Sequence, residues 1–387
     1  MKTYLWILLA TQCAIVVGCS DASTKNMLVF DRFCETIQVP DNDSFYSDFD
    51  SALNFSEFII LKPDPKVNTS SLSDVFSIKR IVQASGKFFV LDIKYMTANV
   101  FDQSGKYLFT FNKIGKGLGG SSFLLDLFID QRERAAYLVS NSPNKLLKYS
   151  LEGVLDQEYF PPFYPSSMSR VGGKYLFDLN FNYTKYTGKN NFLVTDTAFQ
   201  IMGKSFSYEM EEDQASYLYH GGIFTIDDSL IYYTPGKSNA IYRVQDNVLE
   251  AAYYFRFPQD TAGVDLTRPN LRAQNDCQMV NRFYKYGDFI AINYTDSKNR
   301  KTCLCLYNVK NRQFFRSKTM DLFENAMVHQ SGDKMIIGLN VRKFLETLKS
   351  KMSTGGTYPS WYKKVLRKIE SEQIDNSTIA IIICSIA

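Results

Sequence analysis

Histidine is nearly absent from this chain of 387 residues, which has only His220 and His329. Neither is spaced to pair with a nucleophile and an orienting acid, so the sequence offers no catalytic triad. Structural or surface roles are expected for both. Charge of one sign is lacking too: 44 basic and 40 acidic residues leave a formal charge of +4. The small excess gathers near the C-terminus and makes no overall case for nucleic acid. No DxDxDG calcium loop occurs. Gly115-Lys116-Gly117-Leu118-Gly119-Gly120 spells GxGxxG. A dinucleotide fingerprint must leave a strand and open a helix, whereas residues 121–130 read as another strand. No metal, no cofactor and no catalytic residue are assigned.

Aromatic residues are plentiful: 25 Tyr and 30 Phe make up most of an aromatic content of 15%. Such residues favour strands, where they pack across a pleated surface. The chain is organised around residues 75–130. Residues 87–92 (KFFVLD) read as a strand, 98–101 (ANVF) as its partner and 106–111 (KYLFTF) as a third. Asp102-Gln103-Ser104-Gly105 lies between the last two, where glycine supplies the positive φ of a tight hairpin.

Five further segments share this grammar of a polar turn followed by an apolar strand: 134–139, 174–180, 228–233, 288–293 and 334–340. Residues 149–153 align with 101–105 without a gap, at a spacing of 48. Units of this length with three or four strands each predict a β-propeller. The predicted fold class is all-β, a six-bladed β-propeller. A long antiparallel sandwich or two unrelated β domains are the alternatives. The strands are apolar on both faces, which suits blades stacked face to face. The glycines at 115–120 then let the chain cross between blades.

The N-terminus carries an address. Residues 1–18 read as a secretory signal: Lys2 is its positive start, and 4–17 form an apolar run too short for a comfortable membrane span. Ile15-Val16-Val17-Gly18-Cys19 resembles the bacterial lipobox. That resemblance implies cleavage before Cys19 and diacylglycerol on its sulfur; an ordinary signal with an incidental cysteine is the alternative. Ser20, standing where Asp would retain the protein, implies the outer membrane by the bacterial sorting pattern. Residues 19–32 would be a lipid-anchored tether and 33–387 the propeller. Acyl chains anchor stably because each buried CH₂ contributes about 0.8 kcal/mol. Asn54, Asn182, Asn293 and Asn376 begin Asn-x-Ser/Thr sequences, but a bacterial origin argues against reading them as glycosylation sites.

Cys303 and Cys305 share one face of a predicted strand at 302–307 and are expected to be buried thiols. Cys34 and Cys384 lie near opposite ends and would meet only if those ends pair in one blade. Residues 36–39 and 55–62 read as early strands, and 377–386 (STIAIIICSI) as a strongly β-branched final one. A ring must close, so the last strand is expected to join the early strands in the final blade. Left unpaired it would invite aggregation. Residues 341–352 and 361–373 are helical in pattern, with Ser360 as an expected N-cap. They make a small insertion, about 341–373, in the last blade, with outer faces rich in Lys and Arg.

The run from Asp92 through Val100-Phe101-Asp102-Gln103-Ser104-Gly105-Lys106-Tyr107-Leu108-Phe109 to Phe128-Ile129-Asp130 resembles the six-bladed β-propeller lipoproteins of Bacteroidetes. That family is similar in shape to NHL-like and TolB-like propellers. Phe58-Ile59-Ile60-Leu61 looks like its first strand, and the helical insertion before a final apolar strand like its closing region. Relatives usually carry Pro-Gly-Glu-Tyr after the glycine loop, where this chain has Leu118-Gly119-Gly120-Ser121-Ser122. The resemblance implies fold and address and carries no activity.

The expected function is a lipid-anchored outer-membrane protein, facing periplasm or cell surface, that binds a glycan, peptide or partner protein without catalysis. Aromatic side chains in loops stack on sugar rings, so Tyr183, Tyr186 and Trp361, with His220, are the candidate ligand-binding residues. One alternative is a polysaccharide hydrolase or lyase with acids at the channel mouth. Its candidates include Glu209, Glu211, Glu212, Asp213, Asp227 and Asp228. Another is a structural subunit of an envelope complex, suggested by the basic helices. A carboxylate cluster at one mouth would favour the enzyme; an exposed apolar patch on the helices would favour the subunit.

Overall fold

In the computed structural model, all six repeated segments turn out to be second strands of blades: Lys87–Asp92, Ala135–Ser142, Lys174–Asp178, Leu230–Thr234, Phe289–Asp296 and Lys334–Asn340. The structure describes residues 25–386 apart from 27, 31–33, 41–48, 68–71, 73–74, 112, 116, 209–222, 228–229, 237, 246–247, 259–278, 297–300, 316–325, 333, 354–357, 373 and 375–377. Second strands are covered on both faces by neighbouring blades. That is why Lys87–Asp92 buries every residue after its first, and why its sequence does not alternate.

Inside each second strand lies a first strand: Ile78–Ala84, Phe123–Asp130, Ser167–Val171, Ile223–Asp227, Met279–Tyr286 and Met327–Ser331 for blades 1 to 6. These first strands touch one another in ring order, and Met327–Ser331 packs against Ile78–Ala84 to complete the circle. The fold is a six-bladed β-propeller, as the repeat predicts. The glycine loop is the expected crossing: Lys113–Ile114 pairs with Gly120–Ser121, and a strand follows, not a helix.

The turn between third and fourth strands recurs with the same pattern of hydrogen bonds. Asp102 Oδ1 accepts the N–H groups of Ser104 and Lys106, and Gly105 takes φ +86°. Ser150 Oγ does the same for Glu152 and Val154, with Gly153 at φ +91°. In blade 3 Asp196 Oδ1 accepts from Ala198 and Gln200, but the left-handed position is Phe199. The strain is offset by stacking of the Phe199 ring on Tyr175, 5.5 Å away.

Gly105 has a second constraint, because a Cβ there would lie 2.1 Å from the Ile60 carbonyl oxygen across the ring closure. Gly105→Ala is expected to cost about 1–2 kcal/mol in backbone strain and about 1–3 kcal/mol more in overpacking. Gly173 also has positive φ, at +77°, but a Cβ there would meet nothing within 4 Å. Gly173→Ala should therefore show the backbone part alone. Urea midpoints of the two variants check the difference.

Closure follows the expectation in one half. Ile379–Ile386 is the third strand of blade 6, paired with Lys334–Asn340 on one side and with Leu53–Ile60 on the other. The earlier strand, Glu35–Gln38, goes elsewhere: it pairs parallel to Val248–Arg256 on the outer edge of blade 4. Ile37 and Val39 draw it there, since both bury against Phe255 and Phe257 in the seam between blades 4 and 5. Leu28–Phe30 also pairs with blade 4, and Lys25–Asn26 with blade 3. Two otherwise open edges are covered in this way. Cys34 and Cys384 consequently sit in different blades and do not meet. Cys303 and Cys305 are buried in one apolar cluster, as expected.

Helix α1 (Val341–Ser353) and helix α2 (Trp361–Glu370) form the insertion, with Phe344, Leu348, Tyr362, Val365 and Ile369 buried against blade 6. Ser360 does not cap α2, contrary to the expectation. Its backbone is already helical, at φ −57° and ψ −27°, and its hydroxyl makes no cap bond. A capping residue needs an extended backbone. The first turn is instead closed by the Tyr362 N–H donating to the Pro359 carbonyl at 3.1 Å.

Candidate functional site

The channel wall is built from the first strands. In three of them the pairing slips, between Ile78 and Arg80, between Leu124 and Asp126, and between Val280 and Arg282. A bulge of this kind re-aims the side chains around it. In all three the residue after the slip is charged and buried: Arg80, Asp126 and Arg282.

Arg80 Nε and Nη2 donate to the two oxygens of Asp126 at 2.8 and 3.2 Å, and Nη1 reaches the Phe224 carbonyl of blade 4 at 3.2 Å. Asp126 also accepts the Met168 N–H of blade 3 at 3.4 Å. Arg282 donates to the Ile78 and Lys79 carbonyls of blade 1 at 3.0 and 2.9 Å. Tyr284, on the blade 5 first strand, lies close to both guanidinium groups. His329, on blade 6, accepts the Ile81 N–H on Nδ1 at 3.1 Å. Every blade is thus tied into one polar plug on the axis. Burial, then the Arg282 and Arg80 charges, push the His329 imidazole well below its ordinary pKa and keep it neutral. Burial likewise lowers Lys79, with Asp126 opposing.

Against the plug lies a cavity of about 890 Å³, lined from all six blades and reaching the turns at 131–133, 172–173, 287 and 332. That size fits a small-molecule site, for which about 300–1,000 Å³ is usual. Arg80, Ser169, Thr225, Tyr284 and His329 are polar contributors to its wall. At the rim, Arg170 pairs with Asp130 at 3.2 Å and also with Glu133, while Tyr137 donates to Glu133 at 2.8 Å.

The Arg170 hydrogen bond holds Glu133 down at about 2, from an ordinary 4.5. A folded-state pKa below the unfolded one gives stability that is complete above the unfolded value. It is lost as pH falls through the folded value. The Glu133 contribution should therefore fade between about pH 4.5 and 2. Thermal midpoints of the native chain and Glu133→Gln are expected to differ at pH 6 and to converge across that window.

Tyr183 and Tyr186 share one exposed loop in blade 3, where Lys185 lies over the Tyr186 ring and Lys204 Nζ donates to the Tyr186 carbonyl at 2.7 Å. Trp361 opens α2 on the opposite side of the ring and stacks flat on Phe55 at 5.0 Å. None of the three lines the cavity. His220, Cys19 and the acidic run 209–213 lie outside the described residues. The channel residues Arg80, Asp126, Ser169 and Arg282 were not singled out by sequence. Their signal is a polar residue inside an apolar run just ahead of each repeated strand, as in IKRIV and FLLDLF. Among the described residues no group of three or more His, Cys, Asp or Glu is placed to hold a metal, and no helix is long and apolar enough to cross a membrane.

The profile of a family described as a domain of unknown function (DUF4934) matches residues 68–382. No curated protein matches the chain. Among solved structures it is similar to a presumed exported protein of Bacteroides fragilis, with 17% identity and a TM-score of 0.68 over 91% of this chain and 100% of that one. A DUF4221 member from Bacteroides vulgatus aligns with 87% of this chain and 98% of its own, at 9% identity and a TM-score of 0.49. At 17% identity the first likeness speaks for the fold alone.

Proposed function

The chain belongs to the DUF4934 family, and from that premise we propose that it is a lipid-anchored envelope propeller that binds a ligand in its central channel without turning it over. The observation that carries this reading is the axial cavity of about 890 Å³ walled by all six first strands. A glycan, a peptide or a segment of a partner protein are the ligand classes it would take. The lipobox-like Cys19 supports the anchor, and the exported description of the Bacteroides fragilis protein agrees with it.

The described carboxylates at the mouth speak against hydrolysis. Asp130 and Glu133 are both engaged by Arg170, and Glu133 is held at about 2. A general acid needs a pKa raised towards the working pH. The basic helices favour an assembly subunit no better. Arg342 and Lys349 are paired with Glu346 and Glu370, and no large apolar residue stands exposed on either helix.

The test is retention of envelope glycans and peptides by the purified protein, with the released material analysed for cleavage. Retention without cleavage is expected, and it should be lost in Ser385→Trp, which places a bulky ring at the cavity wall. Cleaved product would overturn the non-catalytic reading; retention indifferent to Ser385→Trp would move the site off the channel. Labelling by radioactive palmitate is expected in the native chain and absent in Cys19→Ala; equal labelling of both would overturn the anchor.

A further inference from the structure

Two residues before the end of each first strand, the ring presents Val82, Phe128, Ser169, Thr225, Tyr284 and His329 at one level. Blades 1 and 2 are apolar there and blades 3 to 6 are polar. Thr225 is satisfied, donating to the Phe283 carbonyl of the next blade at 2.6 Å. His329 is satisfied on one side only. Its Nδ1 accepts from Ile81 N–H and lies 3.1 Å from Arg282 Nη1, which can only donate. A nitrogen facing two donors carries no proton, so the proton is on Nε2. That N–H has no acceptor among the described residues, although the ring is 1% exposed and lines the cavity. Ser169 Oγ, fully buried in the same wall, also has no partner among the described residues.

Charge points the same way. Lys79, Arg80 and Arg282 gather in the plug, with Asp126 and Asp178 as the carboxylates near them. Asp178 accepts the Tyr233 hydroxyl at 2.6 Å and the Asn191 amide at 3.2 Å. Among its described partners Arg282 meets the Ile78 and Lys79 carbonyls and the His329 ring but no carboxylate, which leaves a positive charge in excess in a region where burial strengthens its field. The neutral His329 adds a donor without adding to that charge.

We propose that the channel holds the oxyanion of a ligand, a carboxylate or sulfate, against His329 Nε2–H and Ser169 Oγ–H, with Arg80 as counter-charge. This rests on the reading of the channel as the binding site and names the chemistry of its occupant. A planar carboxylate and a tetrahedral sulfate both present the acceptor oxygens that the two orphan groups lack. The apolar sector at Val82 and Phe128 would face the uncharged remainder of the ligand.

The test is calorimetric titration of the purified protein with galacturonate, galactose sulfate, galactose, acetate and inorganic sulfate at millimolar concentrations. The acidic sugars are expected to bind about tenfold or more tighter than galactose, the scale of one hydrogen bond to a charged group. Ser169→Ala should lose that preference while keeping or raising the thermal midpoint, since it removes an unsatisfied buried hydroxyl. His329→Gln, which keeps an N–H donor, should retain part of it. Acetate and inorganic sulfate binding as tightly as the sugar acids would support the site and make a free ion its occupant. Equal binding of galactose and galacturonate would overturn the inference while leaving the channel reading intact. Binding of the acids unaffected by both variants would overturn it too, as would no binding by any oxyanion, which would mark the orphan groups as a water site. Failure of the channel reading itself is read separately, from Ser385→Trp.

Discussion

Replacing Asp126 by alanine should destabilise the propeller by about 3–5 kcal/mol, the range for breaking a buried ion pair from one side. Asp126 is fully buried, and both of its oxygens are engaged by Arg80. Removing the carboxylate strands the Arg80 guanidinium beside Lys79 and Arg282, and frees the Met168 N–H as well. The loss therefore exceeds that of an ordinary hydrogen bond, about 0.5–1.5 kcal/mol. Asp126→Asn separates charge from shape. It keeps an acceptor for Arg80 but not the charge, and should recover only part of the loss. Removing both partners is the stricter control. Arg80→Met with Asp126→Leu eliminates the stranded cation, so the double variant should be more stable than Asp126→Ala. Urea denaturation of the four proteins measures this; a double variant no better than the single would show that the packing around Asp126, and not its charge, holds the site.

The same residues explain what could be read from the sequence and what could not. Second strands announce themselves because both faces are covered, so KFFVLD and KMIIGLN are apolar between their polar ends and their bounds come out as expected. The third-to-fourth turn is legible where glycine takes the left-handed position, as at Gly105 and Gly153. It is hidden where Phe199 does so, because the aromatic stacking that offsets the strain comes from residues distant in sequence. First strands are harder. They present one edge to the channel, carry bulges and mix charges with apolar residues, so Ile78–Ala84 and Met279–Tyr286 lack the repeat's grammar.

That is why the candidate site was missed while the fold was not. A ligand site on a propeller axis is assembled from single residues on six strands, spread from Arg80 to His329. No local spacing connects Asp126 to Arg80, which are 46 residues apart, or His329 to Ile81, 248 apart. His329 was visible as one of two histidines, but its tautomer and its unpartnered N–H depend on Ile81 and Arg282, which only the closed ring brings to it. Loop aromatics such as Tyr183 and Tyr186 are easier to notice because exposure in a turn is a local property.

Ile382→Asp should abolish folding of the ring, and the reason lies in how it closes. The final strand lies between Lys334–Asn340 and Leu53–Ile60 and pairs with both, so blade 6 is held together by residues from both ends of the chain. Its two faces serve different seams. Ile379, Ile381 and Ile383 pack with blade 1, while Ala380, Ile382 and Cys384 pack towards blade 5 and the helices. Ile382 sits at the middle of both pairings, opposite Ile337 and Phe58, and is 1% exposed. A carboxylate there would be buried in an apolar cluster, and burying an ion costs several kcal/mol. That approaches the whole stability of a typical domain, about 5–15 kcal/mol. Ile382→Ala removes the same contacts without the charge and should remain folded with about 2–5 kcal/mol lost. Ile382→Val should lose about 0.5–1.5 kcal/mol. The series separates closure by packing from closure by backbone pairing alone, since all three variants keep the ladder bonds. Circular dichroism and soluble yield are the measurements. A soluble, native-like Ile382→Asp protein would mean that the ring tolerates an open seam, and that the first strands and their polar plug hold the blades together without the final strand.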